Sequence, residues 1–386
     1  MSFPRRACVA VVAAGLAACR TSGPHLDPIS ASAPLRFAGE YIMAPAALAP
    51  VPRFGGISGL ASQEGGRELL AIADDRDNSR MYRFRVEGTP PNLTIELTAT
   101  ILLQPAAGAP AKLDPEGIAV GRNGHIFIAS EGFSNQQPRL PPAILEYSKA
   151  GKFLGQVSLR PRFVPTPTGP VTSGVRDNAA FESLTTTRDG RLFTAVELPL
   201  VQDSDAVTFG PGSRTRLLEF RRSAGQFEPA REFAYDIDDM PRPPFLPTLA
   251  INGLVELLAL GGDEFLSLER GYTESENRAE SLNRIRIFRL SLTGATDVSA
   301  IDSLRTATDV TPVRKTLLLD LKDVSGLSPA LTALDNFEGM TWGPTLPDGH
   351  PQLLLVSDNN FSPRQKTAFL SFAAAPALRR GENPFR

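Results

Sequence analysis

The chain has 386 residues, 42% of them hydrophobic and 21% charged, which is ample apolar material for a buried core. Lys and Arg number 40 against 42 Asp and Glu, so the chain has no electrostatic footprint for nucleic acid or an anionic membrane surface. Its 34 prolines and 32 glycines suit many turns, and no long 3.6-residue period competes with the short alternating runs, so the expected class is all-β.

Arg5 and Arg6 precede an apolar run from Ala7 to Ala18 that is too short to anchor stably in a bilayer and has the shape of a signal peptide. Leu16-Ala17-Ala18-Cys19 is similar to the bacterial lipoprotein box, in which the cysteine becomes the lipidated first residue. A signal peptide is therefore expected over residues 1–18, lipidation at Cys19, and a polar tether over residues 19–34. Removing the leader also removes Cys8, so no intramolecular disulfide is possible, and losing Arg5 and Arg6 leaves 38 basic against 42 acidic residues, or −4. The expected location is outside the cytoplasm, at the periplasmic face of a membrane or the cell surface, with the lipid as the sole membrane contact.

A lone strand, Leu35 to Ile42, precedes five varied copies of one hairpin. The clearest copy runs from Leu113 to Gly132: an apolar strand, the turn Gly121-Arg122-Asn123-Gly124, and a second strand ending at Glu131. Others run from Phe181 to Glu197, Asn252 to Arg270 and Asn336 to Phe361, and a weaker one from Gly55 to Asp77 carries Ser58 where the rest carry an acid. Two further strands follow each hairpin except the last, which has one. Four-stranded units with an orphan N-terminal strand predict a β-propeller of five blades closed by that strand, spanning residues 35–373, with 374–386 as a C-terminal tail. The segment Ser291 to Leu334 leaves room for a degenerate sixth blade.

A hairpin's first strand starts at the edge where its second strand ends, so Glu116 with Glu131, Glu182 with Glu197, and Glu338 with Asp358 share one face of the disc. The third hairpin adds Glu256 and Glu269. In a propeller the first strands line the central channel, so these acids converge there, beneath the longest loops. Such a ring needs raised pKa values or a cation. Its oxygen-only donors favour Ca²⁺ over zinc or copper. The competing role for each acid is structural: capping a loop or pairing with Arg76, Arg176, Arg270 or Arg364.

The blocks EGIA with IASEGF, FESL with AVE, NGLVELLAL with LERGY, and DNFEGMTWGP followed by LLLVSDNNFSPRQKTAFL resemble the bacterial phytase-like family, labelled as having esterase-like activity of phytase type. The resemblance spans residues 35–373 and implies a propeller and, by analogy with β-propeller phytases, Ca²⁺-assisted hydrolysis of phosphomonoesters. It carries over to Glu116, Glu131, Glu182, Glu197, Glu256, Glu269, Glu338 and Asp358 as the metal-binding set. Ser58 departs from the acidic pattern, and no dense set of lysines marks a site for a highly phosphorylated inositol.

The leading expectation is a monomer in which Ca²⁺ on Glu116, Glu182 and Glu338 activates a small phosphoester, with Arg270 neutralising developing charge and Arg76, Arg176, Arg270 and Arg364 binding substrate. The alternatives are a Ca²⁺-dependent lactonase or carboxylesterase, and a non-catalytic ligand-binding surface lipoprotein. An α/β-type serine hydrolase is disfavoured, because the chain has no G-x-S-x-G elbow and its three histidines sit away from the acids.

Overall fold

A computed structural model describes residues 34–44, 53–104, 106–110, 112–206, 209 and 213–379. The expected signal peptide, Cys19 and the tether lie outside the described residues. Among those residues, no helix is long and apolar enough to cross a membrane.

Twenty strands form five antiparallel four-stranded sheets, the blades of a propeller. Strand β1 (Leu35–Ile42) comes first. Blade one is β2 (Ile57–Gln63), β3 (Glu68–Ala73), β4 (Arg80–Glu87) and β5 (Thr94–Leu102). Blade two is β6 (Pro115–Val120), β7 (Ile126–Ser130), β8 (Ala143–Tyr147) and β9 (Phe153–Gln156). Blade three is β10 (Thr185–Thr186), β11 (Leu192–Ala195), β12 (Arg214–Ser223) and β13 (Gln226–Asp236). Blade four is β14 (Leu249–Gly261), β15 (Glu264–Glu274), β16 (Leu282–Ser291) and β17 (Arg314–Asp320). Blade five is β18 (Asn336–Trp342), β19 (Gln352–Asp358) and β20 (Ala368–Ala374), with β1 as its outer strand.

The expected closure is therefore observed, with Leu35 opposite Ala374 and Ile42 opposite Ala368. No sixth blade forms in Ser291 to Leu334, whose one strand, β17, completes blade four. The final strand runs into the segment expected as a tail, and Leu378 beyond it is buried in the core.

Each blade is covered on both faces, so its strands read as continuous apolar runs whose alternate residues face different neighbours. Leu69, Ala71 and Ala73 of β3 pack toward Leu354, Val356 and Phe369 of blade five, while Leu70 and Ile72 pack toward Ile118, Ile126 and Ile128 of blade two. Separate clusters fill the remaining three interfaces between blades. Trp342 is 8% exposed and belongs to the core between blades four and five.

One irregularity recurs on the inner strands and positions the site. The pairing of first and second strands slips between Ile57 and Gly59, Pro115 and Ile118, Leu254 and Glu256, and Phe337 and Gly339. In blade three, Phe181 pairs with Val196 and Thr185 with Phe193, which sets three intervening residues against two. A bulge of this kind re-aims the side chain it carries. Glycine follows it in blades one, two and five, because the next inner strand comes too close for a side chain: a Cβ on Gly117 would lie 2.6 Å from the Glu182 carbonyl oxygen.

Candidate functional site at the channel mouth

The bulge residues of the five blades are Ser58, Glu116, Glu182, Val255 and Glu338. Facing them is a second set where each blade's second strand reaches the same end. Asp74, Glu131 and Glu197 donate their backbone N–H to the carbonyls of Gly56, Asp114 and Ala180, Asp358 pairs with Asn336, and Arg270 pairs with Gly253. The two sets make a belt of acids around the channel mouth, with one arginine built into it.

Within the belt, Asp74, Asp114 and Glu116 form one group and Glu131, Glu182 and Glu197 another, each offering carboxylate oxygens within 4.8 Å of one another. All but Asp74 are buried. Two cations offset them. Arg270, 15% exposed at its side chain, lies 3.0 Å from Glu338 and 3.5 Å from Glu197. Arg76 binds Asp114 at 2.5 Å and Asn178 at 2.7 Å, with its side chain 40% exposed at the rim. Eight carboxylates (Asp74, Asp114, Glu116, Glu131, Glu182, Glu197, Glu338 and Asp358) thus face two guanidinium groups.

The electrostatic consequence is a set of raised carboxyl pKa values. Burial, then the charges of Asp114 and Asp358, push Asp74 up to about 8. Burial raises Glu197 to about 7 despite Arg270, and burial with Glu338 raises Asp358 to about 7. Glu116, Glu131 and Glu182 are pushed well above the carboxylate range, first by burial and then by neighbouring acids. Arg270 is held more basic by Glu338 and Glu197, which outweigh the burial that alone would lower it.

Hydrogen bonds satisfy only part of this belt. Glu131 accepts the Ala180 N–H through Oε1 but leaves Oε2 buried without a hydrogen-bond partner, and Glu197 Oε1 accepts no hydrogen bond, its cation being Arg270 Nη2 at 3.5 Å. Both oxygens belong to the same trio. The donor set is hard, anionic and all oxygen, which fits a cation such as Ca²⁺ and gives a thiolate- or imidazole-seeking metal no ligand. Gly253 lets Glu197 sit where it does, since a Cβ there would come within 2.4 Å of Glu197 Oε1.

Two expected metal ligands lie elsewhere. Glu256 falls one residue past the bulge, where blades one, two and five have glycine. Its carboxylate accepts the Leu257 N–H at 2.9 Å and the Met340 N–H at 3.5 Å, together with the amides of Leu184 and Leu60. It therefore ties the inner strands of four blades to one buried carboxylate. Glu269 precedes Arg270 on β15 and, by strand alternation, faces the opposite way. There it is fully buried and bonded to Tyr235 Oη, Asn252 Nδ2, Arg286 and Lys315. The other six expected ligands all lie in the belt.

Of the expected anion-binding arginines, only Arg76 and Arg270 reach the belt. Arg176 donates to the carbonyls of Pro199 and Ser204, and Arg364 is exposed on a loop. Two belt acids escape the sequence pattern. Asp74 is the blade-one counterpart of Glu131, and the shared ending of Ile72-Ala73-Asp74 and Ile128-Ala129-Ser130-Glu131 is the signal that marks it. Asp114 has no acidic counterpart in the other blades and therefore leaves no repeat signal. His125 is bonded to Glu146 beside the hairpin turn at the opposite face, and His350 pairs with Asp348 in another turn.

A family model described as "Phytase-like: Esterase-like activity of phytase" matches residues 52–361. None of the curated proteins matches the chain. Among solved structures, it is similar to an endo-arabinase from Bacteroides thetaiotaomicron, at 10% identity and a TM-score of 0.43, over 87% of this chain and 97% of that one. It is also similar to an exo-1,5-α-L-arabinanase from a bovine ruminal metagenomic library, at 9% identity and a TM-score of 0.38, over 82% and 92%. A gluconolactonase from Xanthomonas campestris shows 11% identity and a TM-score of 0.33, over 89% and 99%.

Proposed function

The chain belongs to the phytase-like family, and from that premise we propose that it is a calcium-dependent hydrolase of small phosphoesters, exported and held by lipid at Cys19. The observation that carries this reading is the trio Glu131, Glu182 and Glu197, in which Glu131 Oε2 has no partner and Glu197 Oε1 has no hydrogen bond beyond the Arg270 charge at 3.5 Å. Buried polar atoms are rarely left unpaired, and a divalent cation would satisfy both at once. Glu131, Glu182 and Glu197 would hold the ion, and Asp74, Asp114 and Glu116 form a second set of the same chemistry. Bound calcium would supply Lewis-acid polarisation of a phosphoryl oxygen and a more acidic water.

The chain's own residues supply the rest. Arg270, wedged between Glu197 and Glu338, offsets part of the charge of the belt and favours the ionised form of those two carboxylates. At the rim, Arg76 is fixed by Asp114 and Asn178 and is exposed enough to meet an incoming phosphate. Glu256, buried and bonded to backbone amides of four blades, braces the inner strands that carry the belt.

The test is hydrolysis of p-nitrophenyl phosphate beside p-nitrophenyl acetate, with EDTA and with added calcium. Phosphate release should be lost with chelator, return with calcium, and fall about 100-fold or more in Glu182→Gln. Phosphate release indifferent to chelator would overturn the reading. Turnover of the carboxylic ester alone would reassign the mouth to carboxylester or lactone hydrolysis.

A further inference from the structure

We infer that the face opposite the acidic mouth carries a second binding site, for an organic ligand bearing several oxyanions, built by arginines of blades two and three beside the blade-four turn. This inference is independent of the chemistry assigned to the mouth.

The hairpin turns of these blades, at Gly121 to Gly124, Asp189 to Gly190 and Gly262 to Asp263, surround a cavity of about 1050 Å³. Five arginines line it: Arg122, Arg191, Arg221, Arg222 and Arg231. Five guanidinium groups crowded together need counter-charge, and the fold supplies it from behind through Glu219 and within the cavity through Asp189 and Asp263. Glu219, whose side chain is fully buried, receives Arg221 Nε at 2.6 Å and Arg231 Nε, and lies 3.7 Å from Arg191. Asp263 takes Arg191 Nη1 at 2.6 Å and Arg231 Nη2 at 3.3 Å, and Asp189 takes Arg191 Nε at 2.8 Å. At the edge, Arg222 lies 3.4 Å from Glu146 and stacks over Phe227 at 4.5 Å.

Five guanidinium groups thus meet four carboxylates, and the most-shared carboxylate has no exposed surface. Arg122 is exposed and has no ion pair among the described residues. Arg221, with 57% of its side chain exposed, touches Glu219 through Nε alone. The surface offered to solvent therefore carries the guanidinium edges of Arg122, Arg221 and Arg222, with the carboxylates of Asp189 and Asp263 at its side, 61% and 33% exposed.

Pre-positioned forks of this kind match carboxylate, phosphate or sulfate oxygens in pairs, and an uncharged ligand would leave them unused. One arginine comes from the blade-two turn and four from different strands and the turn of blade three, spread around one cavity, so a ligand with several separated oxyanions engages more of them than a single ion does. The volume is that of a small-molecule site, and Asn123, Thr186 and Thr293 add polar groups for hydroxyls. A phosphorylated, sulfated or carboxylated saccharide has this chemistry.

The test is calorimetric titration of the whole protein with sucrose octasulfate, which carries no phosphoester and is repelled by the acidic mouth, with sucrose as the uncharged control. Saturable binding of the octasulfate is expected, weakened about tenfold or more in the Arg122→Ser/Arg221→Ser double variant. Both side chains are exposed, so the variant should keep its melting temperature and its activity at the mouth. No saturable binding, or equal affinity in the variant, would overturn the inference. So would pelleting with phosphatidylglycerol vesicles through Arg122 and Arg221 while the octasulfate fails to bind, since that would make the face a membrane contact.

Discussion

Blade four and its neighbours carry similar acids to opposite ends. In blades two, three and five the bulge residue is a glutamate, and in blades one, two, three and five an acid stands at the channel end of the second strand. In blade four those two places hold Val255 and Arg270, and the acids sit one residue away, at Glu256 and Glu269. Successive side chains of a strand face opposite sides, so this single step takes Glu269 out of the channel and into a network with Tyr235, Arg286 and Lys315. It leaves a cation in the belt in its place. A charge in a propeller acquires its role from register before it acquires one from residue type.

Breaking that arrangement should cost most at Glu256. Glu256→Ala strands four backbone donors, each worth about 1–3 kcal/mol when buried unpaired, so a loss on the order of 5 kcal/mol is expected in urea unfolding. Glu256→Gln keeps one acceptor oxygen and should recover part of it. A Glu256→Ala protein with the unfolding midpoint of the wild type would refute the hub role.

The belt should respond to pH in the reverse direction from ordinary ion-paired acids. Asp74, Glu197 and Asp358 are raised to about 8, 7 and 7 from 3.8, 4.5 and 3.8. In the folded, metal-free protein they keep protons that the unfolded chain has released, so their contribution is full below about pH 4 and is lost as pH rises toward about 8. Unfolding free energies from urea titration in EDTA should therefore fall across that window by several kcal/mol, and calcium should flatten the curve near neutrality. A flat curve in EDTA would remove the electrostatic account of the belt.

A pair of conservative substitutions sharpens the contrast further. Glu269→Gln breaks a buried charge network and should lower stability by about 3 kcal/mol equally in EDTA and in calcium. Glu197→Gln should change little in EDTA but remove the calcium-induced gain, which for the wild type is about 2.7 kcal/mol at 100 times the dissociation constant. Equal calcium responses in the two variants would erase the distinction between them.

Much of this was legible in the sequence because turn chemistry and alternation are local. Gly121-Arg122-Asn123-Gly124 and Asp189-Gly190 mark hairpins, the strand Ala143–Tyr147 is bounded by its own apolar pattern, and the common edge of Glu116 and Glu131 follows from the hairpin alone. Pairing register is not local. Whether Glu269 or Arg270 faces the channel depends on a slip between Leu254 and Glu256 on another strand, and spacing cannot distinguish the two. Asp74 was obscured for a related reason: Ser58 breaks the acidic pattern on blade one's first strand, although the second strand keeps it.

The closing strand sets a condition on how the molecule is made. Pairing of β1 with β20 joins residues more than 300 positions apart, from Leu35 with Ala374 to Ile42 with Ala368. Loop-closure entropy on that scale must be met before the contact returns anything, so ring closure is a late, slow event in folding. During synthesis the first strand emerges hundreds of residues ahead of its partner. Until that partner arrives, both carry unpaired N–H and C=O groups, which makes the seam the part of the nascent chain most open to mispairing with another copy.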